Sequence, residues 1–229
     1  MIKAVLFDMD DTLFSELEYI KSGFRAVAHW ASHHINLDYQ NGYNQLVTLY
    51  DKGIRGDTFN QWLKTYNIQP DDYILEMVDE YRNHMPDIQP FPEIEHLLSE
   101  LMQDYKIGLI SDGYLMTQKK KWDVLGLSEF FSSVIFSDQW GKNYWKPHPK
   151  PFIESLTHLN VQSNESIYIA DNPQKDFIGA NQLGLFTIRL KIPHGVYSHI
   201  VPETPDHQPH MEISKLSQLV NCITAINRC

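Results

Sequence analysis

Cysteine and long apolar stretches are scarce in this sequence of 229 residues. The two cysteines, Cys222 and Cys229, lie near the C-terminus, which argues against a disulfide framework and favours a reducing compartment. No apolar stretch approaches the roughly 18 residues of a membrane span, and the residues before Asp8 lack the apolar segment of a secretory signal. We therefore expect a cytoplasmic protein with no membrane partner.

Positive charge is also in the minority. Lysine and arginine number 19 against 29 acidic residues, which gives a formal net charge of -10 at pH 7. This balance argues against nucleic acid as a partner, and an acidic protein that binds an anion needs local cations or a metal ion. Hydrophobic residues make up 42% of the chain, enough to bury a proper core.

The hydrophobic pattern predicts an α/β core that is interrupted by a block of helices. Residues 15–86 carry apolar residues at helical spacing without a convincing strand, so we expect a smaller, all-helical inserted domain there. Strands and helices then alternate, which predicts a doubly wound parallel sheet, Rossmann-like, built from residues 1–14 and 87–229. Residues 191–214 are expected to be mostly loop before a last helix. The strands predicted after residue 100 are 106–110, 134–136, 166–170 and 185–190. The other predicted helices there are one through Trp122 and Leu125 that ends near Gly126, one through Phe152, Leu156 and Leu159, and one at 174–183.

The first predicted strand, Ala4–Phe7, runs directly into Asp8, Asp10, Asp11 and Thr12. Residues i and i+2 of a strand point the same way, so Asp8 and Asp10 are expected to project together from its carboxyl end. Two neighbouring carboxylates repel each other unless a cation or a shared proton relieves them. Such an arrangement predicts an active site at this edge of the sheet.

Three further polar groups are expected at the same edge: Ser111-Asp112-Gly113, Lys146, and Asp171 with Asp176. One carboxylate can act as a nucleophile, and a second acidic group can protonate a leaving oxygen and later deprotonate water. Several carboxylates beside a phosphate require a hard cation, for which Mg²⁺ is the usual choice. A lysine and a hydroxyl complete the cradle around the phosphate oxygens. The combination predicts phosphoryl transfer through a covalent intermediate.

In this order the motifs resemble those of the haloacid dehalogenase superfamily of phosphohydrolases. The family's first motif, D-x-D-x-T, is matched by Asp8, Asp10 and Thr12, and its second, a hydroxyl at a strand end, by Ser111. Its third motif, a lysine in K-P-x-P-x-x-F, is matched by Lys146, Pro147, Pro149 and Phe152. Its fourth, an acidic pair, is matched by Asp171 and Asp176. The resemblance covers residues 3–14, 104–136 and 144–190. It covers the helical insertion only in position and type.

The resemblance implies a role for each matched residue. Asp8 would be the nucleophile and Asp10 the general acid/base. The implied phosphate-binding set is Ser111, Lys146 and the backbone N–H groups of Asp112 and Gly113. The implied Mg²⁺ ligands are Asp8, the backbone carbonyl of Asp10, and Asp171. Asp176 would orient Lys146 or a metal-bound water, and Thr12 would stabilise the turn. Asp11 stands where the family often has glycine, and no role is expected for it.

The resemblance also implies the reaction, hydrolysis of a small phosphomonoester such as a sugar phosphate, a sugar-acid phosphate or a nucleotide. Asp10 favours a phosphatase over a dehalogenase, because only the phosphatase has an alkoxide leaving group that needs a proton. The helical insertion resembles the mobile cap of the branch of the family that acts on small phosphorylated metabolites. Within that branch, the chain looks most like the acylneuraminate-9-phosphatase and nucleotidase types. A monomer or homodimer is expected. A phosphomutase stays open, and so does a phospho-accepting receiver domain, although receivers lack an acid two residues after the acceptor.

Other conspicuous residues favour structural interpretations. Lys119–Lys121 is expected to be a solvated helix face. The spacing of the histidines after residue 190 matches no compact metal site, so they are expected to be ordinary loop residues: His194, His199, His207 and His210. Arg55 could meet a substrate anion, but a surface role is favoured.

Overall fold

A computed structural model describes residues 1–228, and its centre is one parallel sheet. Within those residues the sheet has six strands in the spatial order β3-β2-β1-β4-β5-β6. The strands are β1 Ala4–Phe7, β2 Lys106–Ser111, β3 Ser133–Phe136, β4 Ser166–Ala170, β5 Phe186–Leu190 and β6 Met211–Ile213. Every neighbouring pair is parallel, which confirms the predicted α/β fold class.

Nine α-helices occur in the described residues. They are α1 Glu16–His34, α2 Tyr39–Asp51, α3 Thr58–Thr65, α4 Ile74–Asn83, α5 Ile94–Leu101, α6 Leu115–Leu125, α7 Lys150–Leu159, α8 Asp176–Leu183 and α9 Leu219–Ile226. None of the helices in residues 1–228 combines the length and apolar character needed to cross a membrane.

Strand β1 lies at the point where the strand order reverses. It pairs with β2 on one side and β4 on the other, and Phe7 lies opposite Leu109 and Ile169. All four residues of β1 are buried, which explains why the strand is a continuous apolar run rather than an alternating one. In doubly wound sheets, ligands bind beyond the carboxyl ends of the strands at such a reversal. The fold therefore places a binding crevice directly after Phe7.

Helices α7 and α8 are joined to the sheet by a buried apolar cluster. Its larger members are Leu6, Ile110, Ile135, Phe152, Leu156, Tyr168 and Phe177. Phe152 packs edge-on against Tyr168, with ring centroids 5.0 Å apart. This packing fixes α7, which follows the segment containing Lys146, and β4, whose Tyr168 hydroxyl accepts from Lys146 Nζ.

The chain divides into two compact units. The α/β unit consists of Met1–Glu16 together with the chain from Ile88 onward, and the helical unit is Leu17–Asp87. Aromatic rings form much of the helical unit's interior: Phe24, Tyr50, Phe59 and Tyr81 lie in contact. From the sequence, the boundaries of the inserted helical domain were predicted to lie between residues 14 and 15 and between residues 86 and 87. That the helical unit acts as a cap stays a prediction.

Two local features differ from the sequence-based expectation. Strand β6 lies inside the segment expected to be mostly loop, and it pairs Met211 with Ile188 of β5. It spans three residues, of which only Ile213 is buried, so no apolar run marks it. Helix α8 begins at Asp176 rather than Gln174, because the Asn172 side chain accepts from the Gln174 N–H and closes a turn first.

Arg55 and His210 have local structural partners. The Arg55 guanidinium lies 3.3 Å from the centroid of the Tyr50 ring and donates to the carbonyl oxygens of Tyr50 and Ile54. The ring of His210 stacks on Phe186, and its Nδ1 lies 2.8 Å from the Thr187 hydroxyl. These contacts agree with the structural interpretation of both residues.

Candidate active site

The carboxyl ends of three strands bring the predicted site residues to one edge of the sheet. Asp8 directly follows β1, Ser111 is the last residue of β2, and Asp171 directly follows β4. The Asp8 N–H donates to the Ile169 carbonyl at 2.8 Å, which holds the first residue beyond β1 against β4. Because the strands are parallel and in register, their polar ends converge where the sequence predicts.

Lys146 forms the centre of a buried ion-pair cluster. Its Nζ lies 2.5 Å from Asp8 Oδ1 and 2.8 Å from Asp176 Oδ1, and it donates to the Tyr168 hydroxyl at 2.8 Å. Burial lowers the pKa of Lys146, but the charges of Asp176, Asp8 and Asp112 and the hydrogen bond to Asp176 outweigh burial and hold that pKa well above its ordinary value. Lys146 is therefore a permanent cation beside Asp8.

Asp8, Asp171 and Asp176 form a carboxylate cluster around the same point. One oxygen of each lies within 4.8 Å of the other two, and all three residues are buried. Asp171 Oδ2 is buried without a hydrogen-bond partner in residues 1–228. Asp176 was expected to orient Lys146 or a metal-bound water, and it lies both beside Lys146 and within reach of the other two carboxylates.

The pKa values of this cluster follow from burial and crowding. Burial raises the pKa of Asp8 to about 7, with Lys146 opposing the rise and Asp176 adding to it. Burial, together with Asp176 and Asp8, raises the pKa of Asp171 well above its ordinary value. A hard divalent cation relieves such crowding by replacing the protons, so this donor set fits Mg²⁺.

Asp10 is held by two residues of α6. Lys121 Nζ lies 2.7 Å from Asp10 Oδ1, and Gln118 Nε2 donates to Asp10 Oδ2 at 2.7 Å and to Ser111 Oγ at 2.8 Å. The prediction of a solvated face for Lys119–Lys121 was wrong for Lys121, which is only 5% exposed. Gln118 was not considered in the sequence analysis.

Asp8 and Asp10 have separate lysine partners, Lys146 and Lys121.

The phase of α6 explains why Lys121 was missed. Three consecutive lysines do not by themselves show which of them faces the interior of the protein, so all three were interpreted as solvated. The buried residues of α6 are Thr117, Gln118, Lys121, Trp122 and Leu125. Trp122 and Leu125 mark the buried face in the sequence, and residues at i−4 from each of them, Gln118 and Lys121, share that face. This phase is the signal that could have identified both residues.

Asp112 uses its carboxylate to organise neighbouring groups. Its Oδ1 accepts from the Ser137 hydroxyl at 2.6 Å and from the Lys146 N–H at 3.1 Å, and its Oδ2 lies 3.1 Å from Lys175 Nζ. Burial raises the pKa of Asp112, but Lys146 and Lys175 outweigh it and leave that pKa below its ordinary value. Lys175, which the sequence analysis did not consider, thereby adds a second cation near the predicted phosphate-binding loop.

Asp11 has a structural function that was not expected. It is buried in the left-handed conformation, with φ at 49°, and accepts from the N–H groups of Glu16 at 2.7 Å and Val196 at 2.6 Å. The first contact fixes the start of α1, and the second fixes the loop that follows β5. The contact with Glu16 is local, and a cap into the next helix is one interpretation that Asp10-Asp11-Thr12 allows. The contact with Val196 could not be predicted, because Val196 lies far along the chain.

Arg189 is another missed residue, and it supports Asp171 from β5. Its side chain is 1% exposed, and its Nε donates to the Asp171 carbonyl at 3.0 Å. Its Nη2 donates to the carbonyl oxygens of Tyr197 and Ile200 at 2.8 and 2.9 Å, and its Nη1 lies 3.2 Å from Glu212. An arginine inside an apolar strand was an available signal, because a buried charge needs partners.

Thr12 and Glu16 complete the surroundings of Asp10. Thr12 Oγ1 is buried and, among residues 1–228, has no hydrogen-bond partner. Burial raises the pKa of Glu16 to about 8, with Asp10 adding to the rise and Lys121 opposing it. Glu16, at the first position of α1, is thus a further acidic group close to the site.

Comparison with known proteins identifies the family. The sequence profile of haloacid dehalogenase-like hydrolases matches residues 5–190, which contain all four motifs. The chain belongs to this family. It is therefore a hydrolase of the haloacid dehalogenase superfamily, and the resemblance seen in the sequence is confirmed.

The relatives of this hydrolase include enzymes named for phosphate chemistry. Glyceraldehyde 3-phosphate phosphatase from Methanopyrus kandleri is 30% identical over 232 residues, which cover 97% of each chain. Pyrophosphatase PpaX from Bacillus cereus is 26% identical over 233 residues, which cover 99% of each chain. Among solved structures, the HAD-hydrolase YfnB from Bacillus subtilis bound to magnesium has a TM-score of 0.71 at 20% identity, covering 97% of this chain and 98% of that one. The YfnB comparison supports the fold alone.

Proposed function

We propose that this hydrolase is a Mg²⁺-dependent phosphatase that acts on a small phosphomonoester through a phosphorylated Asp8. One observation carries the proposal: the buried cation of Lys146 lies 2.5 Å from Asp8, while Asp10 has its own partners on α6. Carboxylates in different surroundings can perform different tasks in one reaction. The names of the relatives support phosphate ester hydrolysis as the reaction class.

In the first half of the reaction, a carboxylate oxygen of Asp8 bonds to phosphorus as the bond to the leaving oxygen breaks. Asp10, carrying a proton, transfers it to that oxygen so that a neutral alcohol departs. In the second half, Asp10 takes a proton from water while the water oxygen bonds to phosphorus. The bond between phosphorus and Asp8 then breaks, which releases phosphate and restores both aspartates.

The phosphate group would be held by the residues that the sequence identified. Lys146 supplies a fixed positive charge, and Ser111 supplies a hydroxyl at the end of β2. The backbone N–H groups of Asp112 and Gly113 supply further donors. Lys175, paired with Asp112, adds positive charge on the same side.

Mg²⁺ would be held by Asp8, Asp171 and the backbone carbonyl of Asp10, with Asp176 close enough to contribute. When bound, the cation offsets the negative charge of the carboxylates and of the phosphate that approaches them. The unpartnered buried oxygen of Asp171 supports its assignment as a ligand. Arg189 fixes the backbone at that residue from behind.

The substrate is proposed to be a small phosphorylated metabolite, in the class to which glyceraldehyde 3-phosphate belongs. Pyrophosphate is the second candidate, because the relative named PpaX matches the chain over nearly its whole length. The helical unit is inserted in the chain between Asp8 and Ser111, and we propose that it sets the choice among these substrates. A phosphomutase would instead return the phosphoryl group from Asp8 to a second hydroxyl.

A screen of phosphorylated compounds tests this proposal. It would include glyceraldehyde 3-phosphate, sugar and sugar-acid phosphates, nucleoside monophosphates and pyrophosphate, with Mg²⁺ or with excess chelator. We expect phosphate release from at least one monoester, and its loss both in chelator and in Asp8→Asn. Undiminished release by Asp8→Asn, or in excess chelator, would contradict the mechanism. Release from pyrophosphate alone would favour the second candidate.

A further inference from the structure

Both carboxylate oxygens of Asp10 are engaged by side chains of one helix. Lys121 Nζ lies 2.7 Å from Oδ1, and Gln118 Nε2 donates to Oδ2 at 2.7 Å. The two residues are three positions apart on α6, so they lie on the same face of the helix. Lys121 and Gln118 are both buried, at 5% and 2% exposure, although each side chain is strongly polar.

Gln118 also connects Asp10 to the phosphate-binding loop. Its Nε2 donates to Ser111 Oγ at 2.8 Å in addition to Asp10. The space beside its amide is closed by Gly113, where an added Cβ would lie 2.9 Å from Gln118 Cδ and where φ is 128°. The amide is thereby confined between the general acid/base and the hydroxyl that would bind phosphate.

A general acid must present its proton within hydrogen-bond reach of the leaving oxygen, so its orientation affects the rate. With one donor on each oxygen, the Asp10 carboxylate cannot rotate without breaking a charge-assisted hydrogen bond. Neither donor depends on a loop, because both come from the interior of α6. Rigid elements hold catalytic groups more accurately than loops do.

We propose that Gln118 and Lys121 form a clamp on Asp10 and act as positioning residues for its proton transfers, an inference that rests on the proposed function. In this clamp, Lys121 and Gln118 fix one carboxylate oxygen each, and Gln118 also sets the distance between Asp10 and Ser111. Lys121 acts on the leaving group only through Asp10, whereas Gln118 also contacts Ser111. The clamp therefore accelerates departure of groups that need a proton more than departure of those that do not.

The leaving-group dependence of hydrolysis tests the clamp. Lys121→Met and Gln118→Met would be compared with wild type on alkyl phosphates and on an activated aryl ester such as 2,4-dinitrophenyl phosphate, with Mg²⁺ present. The comparison uses kcat/KM, which reports the steps up to departure of the leaving group. We expect losses of about 10- to 100-fold on alkyl phosphates and below about threefold on the activated ester, because general acid catalysis contributes roughly 10²- to 10⁴-fold where a proton is needed.

Lys119→Met is the matched control, because Lys119 is exposed on the same helix. It should behave as wild type on both kinds of ester. Thermal melting of each variant checks folding. If Lys121→Met fails to fold, Gln118→Met still tests the clamp, because it keeps the charge of Lys121.

A double-mutant cycle with Asp10→Asn provides the second readout. If the clamp acts through Asp10, adding Lys121→Met to Asp10→Asn should cause no further loss on alkyl phosphates. Losses that multiply, or losses equal on both kinds of ester, would overturn the clamp and leave the phosphatase proposal standing. Absence of hydrolysis by wild type on every ester would overturn both proposals.

Discussion

Asp8 and Asp10 form ion pairs with different lysines. Lys146 contacts Asp8 from the loop before α7, and Lys121 contacts Asp10 from α6. Both lysines are buried. At the residue scale, this division gives the proposed nucleophile and the proposed proton carrier different surroundings.

The raised pKa of Asp8 predicts how cation binding depends on pH. Because burial raises this pKa to about 7, Asp8 increasingly carries a proton as the pH falls below 7. A cation that binds Asp8 must displace that proton, and a cation that binds Asp171 must do the same, because the pKa of Asp171 is also raised. We therefore expect Mg²⁺ affinity to fall by at least about tenfold per pH unit as the pH drops below 7. Isothermal titration calorimetry between pH 6 and 8 measures this dependence. An affinity that is constant across the range would contradict the assignment of Asp8 as a ligand.

At the scale of whole elements, helix α8 packs directly against the segment that contains Lys146. A Cβ added at Gly179 would lie 2.2 Å from the Pro147 carbonyl oxygen, a distance that no real contact tolerates. Gly179 therefore permits the close approach that sets the backbone next to Lys146. A small change in this helix should reach the active site.

Gly179→Ala is predicted to displace the Pro147 backbone and, with it, the neighbouring Lys146. We expect a loss of about 1–3 kcal/mol in the free energy of unfolding and at least about a tenfold fall in kcat/KM. Gly126→Ala is the control, because φ there is 67° and the space around it is open. It should cost about 1 kcal/mol through backbone strain without changing activity. Urea unfolding measures the stability of each variant, and steady-state kinetics measures its kcat/KM. Equal kcat/KM values for the two variants would contradict this prediction.

The sequence predicts the parts of the fold that depend on local pattern. Short, mainly apolar runs mark the first five strands, and polar residues that follow β1, β2 and β4 indicate the candidate site. It does not predict β6, which is three residues long, or the contact of Asp11 with Val196, which is distant in the chain. Arg189 was an available signal of a buried charge, but the sequence does not show which groups it contacts. Lys121 was misassigned for a different reason, because its helical phase was available but was not used.

The carboxylate cluster affects the stability of the whole molecule. Asp8, Asp171 and Asp176 are buried together, and the raised pKa values of Asp8 and Asp171 mean that their ionisation opposes folding. A ligand that binds only the folded state stabilises it, by about 2.7 kcal/mol at a hundred times its Kd. Mg²⁺ is therefore expected to stabilise the fold.

Thermal unfolding with and without Mg²⁺ tests this expectation. The unfolding temperature of wild type should rise by several degrees with saturating Mg²⁺, relative to NaCl of equal ionic strength. Asp171→Asn should lose most of this rise, because it removes a charged ligand. An equal rise in the variant would show that the cation binds elsewhere.

Detection of phosphorylated Asp8 tests the central claim most directly. In Asp10→Asn, an activated aryl phosphate can still transfer its phosphoryl group, because its leaving group needs no proton, while the general base for hydrolysis is absent. Acid quench followed by peptide mass spectrometry should therefore find one phosphoryl group on the peptide containing Asp8, and none when Asp8→Asn is added. Release of the aryl alcohol with no phosphorylated aspartate, or with phosphate on another residue, would contradict the account.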